Sequence, residues 1–455
     1  MADENDPMVE SLQHLIATKS DQALRSLLTD FHPSDLAEAF QGLSEEEVLW
    51  VFSCLGPRMA ADVLAEAGGE VLELLLARIP EGELAEILGE MEPDDAADVV
   101  GEIEDPERVK GILARMSELG RREVEGLLVH DEETAGGIMT SEFLAFPETW
   151  RVRNTIEFLR QAPPEIPFNN AYTLDSEGRL AGVFPIQRLV WSDPNRTLKE
   201  IAEGEVLSVT ADMDQEEVAQ LFAKYDLLAL PVVDAEGRLT GRITVDDVLD
   251  VVQEEHTEDM FKMAGTSEDE LVTRSARAVL ALRFPWLLVA LIGGGMCALL
   301  LRKFEGMIAT HPYLAYYLPV IMAMGGNVGT QSSTLMVRGL ATGQIQTSSL
   351  LPTIFREVRV GVLLGLSCGL LTGIFSGFLA TLSGGPLAIG LIVALSMICS
   401  MTTATFFASL VPLTLSKLKV DPAVASGPFI SVSNDVLGLA IYLTMTWSLH
   451  AYLID

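Results

Sequence analysis

Asp435 is an aspartate in an apolar setting. It lies near the middle of the stretch Pro422 to Leu449, long enough to cross a bilayer, for which about 20 mostly apolar residues suffice. From residue 278 onward the acidic residues are Glu305, Glu357, Asp421, Asp435 and Asp455, and the other four sit at segment ends or in loops. A carboxylate at mid-bilayer costs roughly 2.5–3.5 kcal/mol on insertion scales, so it needs a purpose or a partner. Gly427, Ser431, Asp435 and Gly438 follow i, i+4, i+8, i+11 spacing and share a small, polar helix face, with Asn434 beside the aspartate. Two chemistries suit that face: a structural carboxylate bonded to Ser or Asn of a neighbouring helix, or a cation site on a water-filled path. A second polar stretch, Met324-Gly-Gly-Asn327-Val-Gly-Thr330-Gln331-Ser-Ser-Thr334, lies in another apolar segment. At membrane depth such a stretch is tolerated only against protein or water, which makes it the natural companion of Asp435.

Carboxylates also gather outside the apolar segments. Asp94, Asp95 and Asp98 crowd one helical turn, and Val245-Asp-Asp-Val-Leu-Asp250-Val-Val-Gln-Glu254-Glu255-His256-Thr-Glu258-Asp259 reads as a helix acidic on several faces. Close to Glu216 and Asp226, such groups repel one another unless cations bridge them. Hard oxygen ligands favour magnesium or calcium over softer metals. A solvated acidic surface is the other reading. Cys54, Cys297, Cys368 and Cys399 are scattered and read as small core residues rather than a metal site or disulfides.

The elements that must position these groups differ sharply along the chain. Of 65 acidic residues in 455, only the five named above follow residue 277, against eight of the 30 basic ones, so the front carries −38 and the back +3. Such an acidic front argues against nucleic acid and anionic lipid surfaces as its partners. The first residues, Met1-Ala-Asp-Glu-Asn-Asp, lack the basic and apolar regions of a signal peptide. Over 1–128, phrases such as His32-Pro-Ser-Asp-Leu-Ala-Glu-Ala-Phe40 and Glu92-Pro-Asp-Asp-Ala-Ala-Asp-Val-Val100 repeat one theme. Proline opens a short amphipathic helix with acidic residues at its positive end, which predicts an all-α superhelix of helical repeats. Over 129–200 and 201–253 the texture alternates strands and helices. Each part holds an apolar strand, an Asp-x-Glu-Gly-Arg turn (Asp175 to Arg179, Asp234 to Arg238), a second strand and a helix start. A linker helix is expected over 254–278, followed by a membrane domain over 279–455. Five spans are expected there, at about 284–301, 314–337, 358–382, 387–412 and 423–450. Arg274, Arg277, Arg283, Arg338, Arg356, Arg359, Lys417 and Lys419 fall on one side of them and Arg302 and Lys303 on the other, which puts the amino terminus in the cytoplasm and the carboxyl terminus outside. An every-fourth-residue stripe, Gly361, Gly365, Gly369, Gly373 and Gly377, predicts that the third span packs closely on another helix.

The paired strand–turn–strand units resemble tandem cystathionine-β-synthase (CBS) domains. In that family a Gly-x-x-Thr/Ser-x-x-Asp ending holds nucleotide; Gly241, Thr244 and Asp247 match it, and Pro185 and Arg188 stand at the corresponding places of the first unit. Tyr172, Arg188, Thr244 and Asp247 are the nucleotide candidates. Gly325-Gly-Asn-Val-Gly-Thr-Gln331, the segment Pro428 to Asp435, and the order of parts resemble the MgtE family of bacterial magnesium channels along essentially the whole chain. The resemblance implies a multi-pass protein of the bacterial inner/plasma membrane, a homodimer in the lipid bilayer with its pore between protomers. Asp435 then holds hydrated Mg2+, with Asn434, Ser431, Gly427 and Asn327 around it. It also implies that Mg2+ bound to the helical domain, the CBS pair and the linker (plug) helix closes the channel. That role is carried to Glu216, Asp226, Asp247, Asp250, Glu255, Glu258 and Asp259, with Asp94 and Asp98 as the amino-terminal contributors. Mg2+ and other divalent cations are the implied ligands, and ATP at the CBS pair is left open. A CBS-regulated secondary transporter of divalent cations, coupled to an ion gradient, is the alternative. An intramembrane metalloprotease needs a motif like His-Glu-x-x-His, and the membrane half has only His311 and His450, so an enzyme is not expected.

Overall fold

Proline opens the helices of the front part as its spacing predicts. In the computed structural model, α1 (Pro33–Phe40), α3 (Pro57–Ala65), α6 (Pro93–Gly101) and α7 (Pro106–Leu113) each begin on a proline, where the missing N–H costs nothing. The structure describes residue 28 and residues 31–163, 168–267, 270, 275–345, 350–382, 385–425 and 427–453. Arg274, counted among the basic flanks, lies outside them. The remaining front helices are α2 (Glu45–Ser53), α4 (Gly69–Arg78), α5 (Glu81–Leu88) and α8 (Glu118–Leu127). Ser44 caps α2 through a capping box with Glu47, and Asp105 caps α7 by accepting from Glu107 N at 3.0 Å. Leu36, Leu64, Leu75, Leu84, Leu88 and Ile112 are fully buried between the turns.

Two three-stranded sheets follow, and they repeat each other closely. In each, the first two strands are parallel and the last two antiparallel: β1 (Ala145–Pro147), β2 (Asn170–Leu174) and β3 (Leu180–Pro185), then β4 (Val209–Thr210), β5 (Ala229–Val233) and β6 (Leu239–Thr244). Even the register shift recurs, at Thr173/Leu174 and at Val232/Val233. The Asp-x-Glu-Gly-Arg turns form alike: Asp175 and Asp234 each accept two backbone N–H groups, and Gly178 and Gly237 take positive φ. Between strands lie α9 (Val152–Gln161), α10 (Arg188–Trp191), α11 (Leu198–Ile201) and α12 (Gln215–Tyr225). Thr134 bridges Asp214 and Thr140 bridges Arg242, so the approach to the first sheet is laid against the second.

Helix α13 (Val245–Ala264) leaves β6 directly and crosses from the first compact unit, Met1–Val252, into the second, Gln253–Asp455. It stops at Ala264 rather than running on to residue 278. Gly265, at φ 76, ends it with Thr266 N donating to Phe261 O at 3.0 Å, the helix-terminating bond that glycine permits.

The second unit is built from α14 (Ala276–Lys303), the short α15 (Glu305–Thr310), then α16 (Leu318–Ala341), α17 (Leu350–Leu382), α18 (Ala388–Lys417) and α19 (Pro428–Leu453). All five expected spans are long helices. Among the described residues, α14, α17, α18 and α19 are long and apolar enough to cross a membrane. At 24 residues, α16 is long enough too, but its glycines and polar side chains lower its hydropathy. The glycine stripe of α17 meets α18: a methyl on Gly369 would stand 2.8 Å from Ala394 O, and one on Gly373 2.8 Å from Gly390 O.

Candidate functional site

Helices α16 and α19 meet at membrane depth through small residues. A methyl on Gly326 would make ordinary contact, 3.6 Å from Ser431 Oγ and 3.7 Å from Asp435 Oδ1, so α16 packs Gly326 beside both side chains. Asn327, Thr330, Gln331 and Thr334 of α16 are exposed in the single chain while Gly325, Gly326, Val328 and Gly329 beside them are buried. A polar stripe of this kind needs water or protein against it. Asn434 points elsewhere. It is buried with neither amide atom hydrogen-bonded, and Gly329 gives it room: a methyl there would fall on Nδ2. Gly427 lies against Met263 O, and Gly438 against Ser400 Oγ. Asp435 and Ser431 therefore face Gly326 next to exposed Asn327, whereas Asn434 and Gly427 belong to helix packing.

In the first unit the carboxylates of α6 come up to the start of α13. Asp94 is buried with Oδ1 unpartnered, and its carboxyl is held well above the ordinary aspartate range by burial first and then by Asp247, Asp95 and Glu92. Burial, then Glu92 and Asp247, push Asp95 up to about 7. Asp247 is raised by burial although Thr244 donates to it through its hydroxyl and, at 3.2 Å, its N–H. Asp250 is raised by burial and by Glu66 and Asp246. Asp98 is exposed and acts on Asp95. Glu216 and Asp226 stand at opposite ends of α12, roughly 15 Å apart by helical rise, so the helix does not bring them to one point. In the second unit Glu258 pairs with Lys262, Asp259 is pushed up to about 6 by burial and then Asp421, and Glu255 is partly exposed. Among the described residues no three His, Cys, Asp or Glu side chains converge into a ready metal cage. The donor set nonetheless fits a hard cation that keeps its waters: an orphaned buried carboxylate oxygen on Asp94 with Asp247 beside it.

The nucleotide candidates are partly occupied with each other. Arg188 donates to Ile201 O at 2.7 Å and pairs with Glu203 at 2.9 Å, and Thr244 is engaged by Asp247. Tyr172 on β2 is different: its hydroxyl is buried without a partner, and burial pushes it up to about 12, against the pull of Arg242. Arg242 on β6 is itself buried, its Nε unpartnered and its guanidinium 4.4 Å from the Phe168 ring centre. Two orphaned polar groups, one a cation, suit an anionic ligand.

Comparison with known proteins decides the family. Residues 318–445 match a family described as MgtE, divalent cation transporter, residues 31–133 the MgtE intracellular N domain, and residues 198–254 the CBS domain. The magnesium transporter MgtE of Thermus thermophilus is 36% identical over 441 residues, covering 96% of this chain and 97% of the relative. That of Bacillus subtilis is 31% identical, covering 92% of each. The chain belongs to the MgtE family. A crystal structure of the cytosolic domain of the Mg2+ channel MgtE in complex with ATP is 40% identical, covers 53% of this chain and 99% of that one, and superposes with a TM-score of 0.51. The soluble part of a magnesium transporter is 30% identical, covers 54% and 97%, and gives 0.50. Several residues of this MgtE member carry no site signal in the sequence: Glu66, Glu92 and Asp246 beside the carboxylates of Asp94, Asp247 and Asp250, Asp421 beside Asp259, and Arg242 near Tyr172. Glu92 is marked only by its place, one residue before the proline that opens α6; Arg242 is not marked at all.

Proposed function

We propose that this MgtE member is a magnesium channel that admits Mg2+ to the cell and closes when cytoplasmic Mg2+ binds its acidic front part. Asp435 is the pore carboxylate, with Ser431 and Asn327 on the water-filled side and Asn434 and Gly427 supporting the helices. The observation that carries this reading is the place of Asp435, half-buried and packed beside Gly326, next to the exposed polar stripe of α16. A second copy of the chain set against that stripe would enclose a polar path between two protomers, which supports a homodimer. One or two carboxylates suffice for a divalent ion that retains its waters. Closure rests on Asp94, Asp98, Glu216, Asp226, Asp247, Asp250, Glu255, Glu258 and Asp259 taking Mg2+ as the elements bearing them draw together. The domain limits 1–128, 129–200, 201–253, 254–278 and 279–455 serve this reading, with the linker helix ending at Ala264. The amino terminus is cytoplasmic and the carboxyl terminus outside, by the excess of basic residues on one side of the spans. A relative's cytosolic domain binds ATP, and the orphaned Tyr172 hydroxyl and Arg242 Nε support a nucleotide site on this chain as well.

Magnesium uptake into liposomes, paired with current recording, tests the channel. Flux is expected to follow the magnesium gradient and membrane potential and to be indifferent to a proton gradient. Uptake that requires a proton or sodium gradient would replace the channel with a coupled carrier.

A further inference from the structure

The last turn of α13 holds a cation, Lys262, that the sensor reading does not use. Lys262 Nζ donates to Asp421 Oδ2 at 2.8 Å and pairs with Glu258 one turn earlier. The other oxygen of Asp421 accepts from Ala423 N at 2.7 Å, so one carboxylate ties the ammonium to the segment that leads into α19. Asp259 adjoins the same place, its carboxyl raised by burial and by Asp421. The backbones themselves touch. A methyl on Gly427 would stand 1.9 Å from Met263 O, and one on Gly265 2.7 Å from Pro428 Cγ. Only glycine at both positions lets the end of the linker helix lie against the start of the helix that carries Asp435.

Three carboxylates around one point repel unless a cation sits among them. A lysine ammonium is a compact point charge with three donors, suited to bridging oxygens that do not share one plane. We infer that Lys262 is a built-in cation that joins Glu258 to Asp421 and holds the linker helix against the start of α19 without any metal ion. Lys262 is thus a positioning residue for closure, an inference resting on the proposal that the linker helix gates the channel. It gives the channel a closed population even at zero magnesium, and bound Mg2+ at the other sensor carboxylates then adds to a contact already made.

The experiment uses the full-length protein in inside-out patches with a magnesium-free bath. Lys262→Met is expected to raise the open-to-closed ratio about fivefold, the low end of site-to-site coupling. Lys262→Arg, which keeps the charge, is expected to stay within about twofold of wild type. Both curves should fall to the wild-type floor as bath magnesium rises. A Lys262→Met curve that superimposes on wild type at zero magnesium overturns the clamp. A wild type that ignores magnesium overturns the gating proposal instead. Hydrogen exchange of residues 258–265 in magnesium-free buffer reads the contact independently of conduction. Exchange should rise severalfold in Lys262→Met and not in Lys262→Arg, and equal exchange in all three proteins counts against the clamp.

Discussion

Gly326 packs beside the Asp435 carboxylate, where a methyl would stand 3.7 Å from Oδ1, in ordinary contact. On the proposed pore role, the charge of Asp435, rather than its shape, attracts a hydrated divalent ion. Asp435→Asn keeps the shape and removes the charge, so it should lower magnesium uptake at least about tenfold, as should Asp435→Ala, with assembly in detergent unchanged. Wild-type flux through the Asn variant would return Asp435 to the structural role. The mid-span carboxylate was legible in the sequence because hydrocarbon makes any charge conspicuous. The different fate of its neighbour was not. Asn434 and Asp435 differ by about 100° around a helix, and which of them faces Gly329 and which Gly326 depends on how α16 and α19 pack.

Among the elements, spacing that depends on one helix alone read best. The glycine stripe of α17 announced a close partner, and α18 supplies it with backbone carbonyls 2.8 Å from where methyls on Gly369 and Gly373 would stand. Gly369→Leu should therefore force the two helices apart and cost on the order of 1–3 kcal/mol, as overpacking usually does. A fall in the midpoint temperature of the full chain in detergent would register it, and an unchanged melt would mean that α17 and α18 have no close contact there. The sheets were equally legible, since each strand pair is bounded by a turn whose Asp and Gly have fixed duties. The end of the linker helix was not. One glycine in an acidic helical pattern looks tolerable in sequence, and only its positive φ and its approach to Pro428 make Gly265 a stop.

On the scale of the whole molecule, the charge of the front part acts through a few long-range meetings. Proline and helical period located Asp94 and Asp95 on α6, and the Thr-x-x-Asp ending located Asp247, but their juxtaposition is a product of tertiary packing that no local pattern carries. That packing buries them together, and their carboxyls rise toward neutrality as the energetic sign of it. On the proposed gating, such groups oppose closure without cations and become ligands when magnesium binds, so each ion bound favours the compact state. Replacing Asp247 and Asp250 by Asn has two opposed effects. It weakens ion binding, and it also relieves the repulsion from Asp94, Asp95 and Glu66 that loosens the metal-free form. An Asn at 247 can still accept from Thr244, so the start of α13 is kept. Loss of ion sensitivity should dominate, because a neutral amide contributes far less than a carboxylate to a divalent site. The double variant is then expected to stay open at bath magnesium that silences wild type, its curve displaced about tenfold or more toward higher concentration. Open probability in inside-out patches, with magnesium raised through the millimolar range, makes the comparison. Superimposed curves would leave these carboxylates a buried structural cluster, and the sensor would have to lie elsewhere on the chain.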